Sequence, residues 1–334
     1  MKALVSDAPG GPETLAVRDM PDPEPGPGDV LVAVKSCGVN YPDFLIIQDK
    51  YQFRPPRPFA PGAEIAGIVE RVGADVTAFR PGDRVIGSLL AGGMAEKAVV
   101  PEARCLAMPD AMPFDEASAF VLTYATSYHA LKNRAAIKPG ETLLVLGAAG
   151  GVGLAAVELG RAMGARVVAA VSSEEKLALA RKHGAESGFV YGAPPDSKEE
   201  SKALANCFKA ACGEGGADVI YDPVGGGYAE PALRSIAWEG RYLVVGFPAG
   251  IPRLPLNLTL LKACQVVGVF WGEFVRRDPA GSAANSRELL DLYAAGTIRP
   301  YVSERYPLER GAEAIARLAS RNATGKLVVT IGEG

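Results

Sequence analysis

From Glu141 onward, continuous apolar runs alternate with stretches whose apolar residues recur every three or four positions. Glu141 to Leu146 and Ala165 to Val171 read as parallel strands covered on both faces, and Val152 to Met163 between them has helical spacing closed by Gly164. The alternation continues through a helix at Glu174 to His183 and strands at Ser187 to Tyr191, Asp218 to Asp222, Arg241 to Gly246 and Gln265 to Phe270. Six such strands with intervening helices predict an α/β fold, a doubly wound parallel six-stranded Rossmann sheet. Ligands of such sheets bind at the carboxyl ends of the strands, where Gly147 to Gly153, Ser172, Tyr191, Val224, Phe247 and Phe270 are expected to share a crevice.

The first hundred residues are patterned differently. Short β-rich runs at Asp29 to Ser36, Glu64 to Val72 and Asp83 to Ser88 are separated by Pro and Gly clusters, which predicts a mostly antiparallel barrel. Helical spacing follows at Phe114 to Leu131. The end of the chain holds helices at Ser286 to Ala295 and Arg310 to Ser320 and a strand at Lys326 to Ile331, too little to stand alone and therefore expected to rejoin the N-terminal part.

The richest segment is Leu143 to Gly153, LLVLGAAGGVG, in which a strand runs through a glycine turn into a helix. Bare backbone N–H groups at a helix N-terminus suit a pyrophosphate, so a dinucleotide is expected. At the end of the next strand, where an acidic residue would favour NAD, stand Ser172 and Ser173, with Lys176 one turn further on. Small hydroxyls and a cation favour the 2′-phosphate of NADPH. Ser173 also has the sequence of a helix cap, followed by Glu174 and Glu175 in the first turn.

With 334 residues the chain has room for two domains, and 48% hydrophobic with 22% charged residues describes a globular protein. A net charge of −3 without a basic stretch speaks against a nucleic-acid partner. Neither a signal-peptide pattern nor an eighteen-residue apolar run occurs, so no membrane association and a cytoplasmic location are expected. Five scattered cysteines, none in a CxxC spacing, read as reduced thiols. His129 and His183 both read as helix residues, leaving little from which to build a structural zinc site.

The order of these parts resembles the medium-chain dehydrogenase/reductase superfamily, over essentially the whole chain. The resemblance is carried by Cys37-Gly38-Val39-Asn40-Tyr41-Pro42-Asp43, Pro61-Gly62-Ala63-Glu64-Ile65-Ala66-Gly67, Pro81-Gly82-Asp83-Arg84-Val85, GAAGGVG, Asp222 to Gly226 and Thr324-Gly325-Lys326-Leu327. It implies a GroES-like, mostly antiparallel β-barrel domain for substrate, at 1–123 and 268–334, around a dinucleotide-binding domain at 124–267. Zinc alcohol dehydrogenases of that superfamily hold metal through positions occupied here by Asn40, Ala63 and a site near Leu122; of the usual ligands only Glu64 remains, and no metal is expected. The sequence is most similar to the zinc-free branch, the NADPH:quinone oxidoreductases.

That similarity implies hydride transfer from NADPH to a quinone or α,β-unsaturated carbonyl, and a homodimer paired through the sixth strand. Catalytic roles fall on Tyr51, either a proton donor to the reduced oxygen or an aromatic lining the pocket, and on Asn40, near the nicotinamide or substrate carbonyl. Cofactor contacts carry over to Asn40 and Thr126, to Ala149, Gly150, Gly151 and Val152 at the pyrophosphate, and to Ser172, Ser173, Lys176 and Tyr191 at the adenosine phosphate. They extend to Val224, Phe247, Phe270, Trp271 and Gly272 along the cofactor, and to Asn322 and Lys326 in the closing segment. For Phe247, Phe270 and Trp271 the alternative is core packing; Asp43 and Glu64 are expected to be structural, paired with arginines. Rival readings are an enoyl-thioester reductase, for which Arg54, Arg57 and Arg276-Arg277 offer basic residues, and a non-catalytic NADPH-binding protein.

Overall fold

The structure, a computed structural model, describes residues 1–332. It divides into two compact units, one made of 1–122 with 300–334 and the other of 123–299.

In the 123–299 unit, six parallel strands lie in the order Ser187–Val190, Arg166–Val171, Thr142–Leu146, Ala217–Asp222, Ile236–Val244, Gln265–Gly268. The first strand of the unit in sequence, Thr142–Leu146, lies at the centre beside the fourth, Ala217–Asp222, and the order reverses there, which is the doubly wound arrangement. Thr142–Leu146 is buried throughout, as its unbroken apolar run requires. The helix Gly151–Ala162 packs close to the preceding turn: a Cβ on Gly153 would lie 2.2 Å from the Gly147 carbonyl oxygen, so only glycine fits there.

The 1–122 and 300–334 unit contains a seven-stranded, mostly antiparallel sheet. Its order is Val302–Pro307, Lys326–Thr330, Asp29–Val39, Glu64–Val72, Arg84–Ser88, Cys105–Ala107, with Lys97–Pro101 also paired to Asp29–Val39. The closing strand Lys326–Thr330 is antiparallel to Asp29–Val39, with Leu327 opposite Val39, so the two ends of the sequence share one sheet and one apolar core.

Three expectations need correction. Residues 268–299 belong to the dinucleotide unit rather than to the barrel, because the helix Pro279–Ala294 is tied to it by Asn285 Nδ2 on Asn133 Oδ1 at 2.8 Å and by Glu288 on Lys132 Nζ at 2.6 Å. That helix also starts seven residues earlier than Ser286; Asp278 caps it and Pro279 opens it, both ordinary start signals. Finally, the stretch expected to be a helix through Leu131 has π-helical geometry at Val121–Ala125 and His129–Arg134, separated by a single α-turn at Thr126–Tyr128. Among the described residues no helix is long and apolar enough to cross a membrane.

Candidate functional sites

The glycine turn starts at Gly147, whose φ of +57° is left-handed and whose Cβ, if present, would meet Val224 Cγ2 at 2.9 Å. Gly150 then serves as N-cap with no side chain to satisfy the helix, leaving the first-turn N–H groups of Gly151 and Val152 for an outside acceptor. A Cβ on Gly150 would find only the Gly147 carbonyl oxygen, at 3.5 Å, so space is open in front of the helix end. This cradle, at the N-terminus of a twelve-residue helix, fits a pyrophosphate. Ala149 beside it is buried.

One strand over, the chain leaves Arg166–Val171 into Ser172 and Ser173. Ser173 Oγ caps the helix Glu174–Lys182 by accepting from Lys176 N at 3.3 Å, so the capping role is present. Ser172 is exposed, and Lys176 Nζ donates to its Oγ at 2.9 Å. Hydroxyl and ammonium thus stand together at the strand end, and no carboxylate occupies the position that would take ribose hydroxyls.

Tyr191, expected at the adenosine phosphate, is turned inward. It is buried beside Tyr228, ring centroids 4.9 Å apart, and its hydroxyl bonds to the backbone of Gly147, while burial pushes its pKa up. The tyrosine therefore braces the glycine turn. Val224 is held in the turn after Ala217–Asp222 by its N–H on Asp222 Oδ1 at 2.8 Å, and burial raises the Asp222 pKa. Phe247 and Phe270 are not core residues: they are 46% and 60% exposed on the same unit, and Trp271 and Gly272 open the short helix Trp271–Arg277. Thr126, half-buried, begins the α-turn between the π-helical stretches. Its neighbour Ser127, which carries no sequence signal, pins that turn to the sheet through Tyr221 Oη at 2.9 Å and to the glycine helix through the Val152 carbonyl at 3.1 Å.

In the other unit a buried polar cluster forms around Asn40, where Asp29–Val39 gives way to the helix Tyr41–Ile46. Asn40 N–H donates to Asp43 Oδ2 at 2.8 Å, and Gly62 N–H to Asp43 Oδ1 at 3.1 Å. The Asn40 amide donates to the Gly38 carbonyl at 3.2 Å and to Glu64 Oε2 at 3.3 Å, and accepts from Lys326 Nζ at 2.7 Å. Lys326 also donates to the Val39 carbonyl at 3.1 Å and stands 3.5 Å from Glu64 Oε2; Glu64 Oε1 accepts from Leu122 N–H at 2.9 Å. Burial pushes the Asp43 pKa up to about 6 and raises that of Glu64, with Lys326 opposing both shifts.

The expected arginine partners of Asp43 and Glu64 are therefore replaced by backbone N–H groups, Asn40 and Lys326. Arg57 is instead bound to Asp49 Oδ1 at 2.9 Å and the Ile47 carbonyl at 3.0 Å, bracing the segment that carries Tyr51. Tyr51 is half-buried; its pKa is raised by burial and by the charge of Asp43, and its hydroxyl has no hydrogen-bond partner among the described residues. Lys326, expected along the cofactor, is buried beneath Asn40, whereas Asn322 is exposed.

Comparison with known proteins gives a consistent assignment. Residues 151–290 match the zinc-binding dehydrogenase family and residues 26–110 the alcohol dehydrogenase GroES-like domain. The chain is 38% identical over 308 residues to a quinone oxidoreductase-like protein 2 homolog of Nematostella vectensis, covering 91% of this chain and 82% of that protein. A mycobacterial protein, Rv1454c, solved in complex with NADPH, superposes with a TM-score of 0.90 at 29% identity, covering 99% of each chain. The quinone oxidoreductase of Thermus thermophilus, also solved with NADPH, gives 0.80 at 34% identity, covering 99% of this chain and 100% of that one. With its parallel six-stranded sheet and GroES-like second domain, the chain belongs to the quinone oxidoreductase branch of the medium-chain dehydrogenase/reductase superfamily.

Proposed function

We propose that the protein is a zinc-independent, NADPH-dependent reductase that transfers a hydride to a quinone or α,β-unsaturated carbonyl. The observation that carries this reading is the pairing of an open glycine cradle with Ser172 and Lys176 at the next strand end, a seat for a dinucleotide bearing a 2′-phosphate. When bound, NADPH supplies the hydride from its nicotinamide ring; one further proton reduces a quinone to its hydroquinone.

The chain's own residues bind, orient and protonate. Gly151 and Val152 hold the pyrophosphate with backbone N–H groups, Ser172, Ser173 and Lys176 hold the 2′-phosphate, and Tyr191 keeps the turn in shape from behind. Val224, Phe247, Phe270, Trp271 and Gly272 line the length of the cofactor with Thr126. Tyr51, with its hydroxyl unspent, donates to the substrate oxygen as charge develops there.

An enoyl-thioester substrate is less well supported. Arg276 and Arg277 both turn to Glu273, at 2.6 Å each, and Arg57 to Asp49, which leaves Arg54 as the one exposed cation of that set without such a carboxylate. Homodimerisation through the strand Gln265–Gly268 fits its place at the sheet edge and the exposure of Val266. A reducing, cytoplasmic location fits five cysteines that form no disulfide.

The test is to follow NADPH absorbance with 1,4-benzoquinone, 9,10-phenanthrenequinone, a simple enone and crotonyl-CoA in parallel. A quinone or the enone is expected to be reduced fastest. Preference for crotonyl-CoA would transfer the assignment to thioester reduction, and tight NADPH binding with no turnover would leave a binding protein.

A further inference from the structure

Trp271 and Gly272, which line the proposed cofactor seat, open the short helix Trp271–Arg277, with Phe270 as its N-cap. None of the residues of this helix is buried. Its charged side chains are spent on one another, since Arg276 and Arg277 both donate to Glu273 Oε1 at 2.6 Å. Among the described residues no hydrogen bond or ion pair ties a side chain of this helix to another element. What reaches the body of the unit is Phe274, whose ring lies on that of His129 with centroids 4.1 Å apart and planes 17° from parallel.

The imidazole beneath is itself held in one orientation. An ammonium can only donate, so the Asn285 atom 3.4 Å from Lys132 Nζ is Oδ1. Asn285 Nδ2 then donates to Asn133 Oδ1 at 2.8 Å, and that oxygen also faces His129 Nδ1 at 3.1 Å, so Nδ1 carries the imidazole proton. Burial lowers the His129 pKa and so keeps the ring neutral. The backbone N–H of His129 donates to the Thr126 carbonyl, and Ser127 pins the same α-turn to the sheet. Thr126 and His129 therefore stand at the two ends of one fixed turn.

We infer that His129 is a positioning residue: its imidazole, oriented by Asn133 and Asn285, seats Phe274 and through it fixes Trp271 and Gly272 for the nicotinamide end of NADPH. This deepens the proposed NADPH-dependent reduction and rests on it. A stacked aromatic pair is worth about two- to tenfold in an equilibrium, enough to govern the placement of a helix that buries no residue of its own. In this role the imidazole acts through Phe274 and not on the cofactor.

The chain has two tryptophans, so Trp238→Phe leaves Trp271 as the sole indole and a reporter of the helix. In that parent, without cofactor, His129→Ala is expected to raise acrylamide quenching of Trp271 fluorescence about twofold. His129→Phe, which restores a ring to the stack, is expected to bring it back toward the parent value. His129→Ala should also raise the Kd for NADPH about three- to tenfold, while 2′-phospho-ADP-ribose, which is NADPH without its nicotinamide, binds within about twofold of the parent. Phe274→Ala, a change on the outer side of the stack, should repeat both shifts, and it decides the matter if His129→Ala does not fold. Unchanged quenching in the alanine variants, or no recovery in His129→Phe, overturns the seat. Equal losses of NADPH and 2′-phospho-ADP-ribose overturn the positioning role, since they are the mark of a unit loosened as a whole. Failure of every acceptor to oxidise NADPH would strike the proposed reduction alone, because quenching and NADPH titration still decide the role of His129.

Discussion

Lys176 Nζ stands 2.9 Å from Ser172 Oγ, joining the first turn of one helix to the end of the strand before it. A hydroxyl held against an ammonium forms a two-point seat for a phosphate, and a charge-assisted hydrogen bond contributes roughly 1.5–3 kcal/mol. Lys176→Glu is therefore expected to weaken NADPH binding by about ten- to a hundredfold and NADH binding by less than threefold. Isothermal titration with both cofactors checks this; equal losses would refute the 2′-phosphate assignment.

The hydroxyl of Tyr51 is not spent on another of the described residues, and the charge of Asp43 in the Asn40 cluster reaches it. Tyr51→Phe keeps the ring and its packing while removing the donor. Steady-state kinetics with 1,4-benzoquinone should show kcat lowered on the order of a hundredfold, with NADPH affinity unchanged. An unaltered kcat would reduce the tyrosine to a wall of the pocket.

Asp43 titrates near 6 in the folded protein, against an ordinary value of 3.8, because burial disfavours its charge. A raised carboxylate pKa means that the folded state binds the proton more tightly than the unfolded chain does. The stability this contributes is full below about pH 4 and is lost as pH rises through about 6, an effect on the order of 2–3 kcal/mol. Denaturant unfolding between pH 4 and 7 should show that loss in the wild type and a flatter profile in Asp43→Asn. Parallel profiles would assign the proton elsewhere.

Zinc binding requires ligands that this chain has exchanged for Asn40 and Ala63, and Glu64 is held by Lys326, Asn40 and the Leu122 N–H. Among the described residues no three His, Cys, Asp or Glu side chains are grouped to hold a metal. Elemental analysis of protein purified without chelator should find well under one zinc per chain, and dialysis against EDTA should leave quinone reduction intact. Stoichiometric zinc would reverse the assignment.

Val266 is 41% exposed on the edge strand Gln265–Gly268, whose outer side has no partner strand among the described residues. If two copies pair there, Val266→Lys places a charge on each side of the contact and should shift the protein from dimer to monomer in sedimentation velocity. A wild-type monomer would end the proposal.

The dinucleotide unit was readable because its signals are local: the buried run at Thr142–Leu146, the glycines behind it and the serines at the next strand end lie within about one βαβ unit. The Asn40 cluster was only half readable. Asn40 and Lys326 are 286 positions apart, and nothing near Lys326 announces that its ammonium is buried on an amide rather than held out for a phosphate. Asp43 and Glu64 were expected to seek arginines because ion pairing is the usual fate of a buried carboxylate; the backbone N–H groups of Asn40 and Gly62 met Asp43 first. The unit boundary near residue 268 was misplaced for another reason: the apolar strands end there, but the ties of Asn285 and Glu288 to Asn133 and Lys132 continue the same unit through Arg299.

The seating of Asn40 depends on a side chain from the last strand, and this has a consequence for how the protein is born. A ribosome delivers Asn40 well before Lys326, and the residues of the dinucleotide unit emerge between the two. Until the strand Lys326–Thr330 adds beside Val39, Glu64 lacks its cation and the Asn40 oxygen lacks the ammonium that donates to it. A nascent chain that has already folded its dinucleotide unit thus still lacks the Lys326 contact of Asn40, and translation must pass Lys326 before that contact can form.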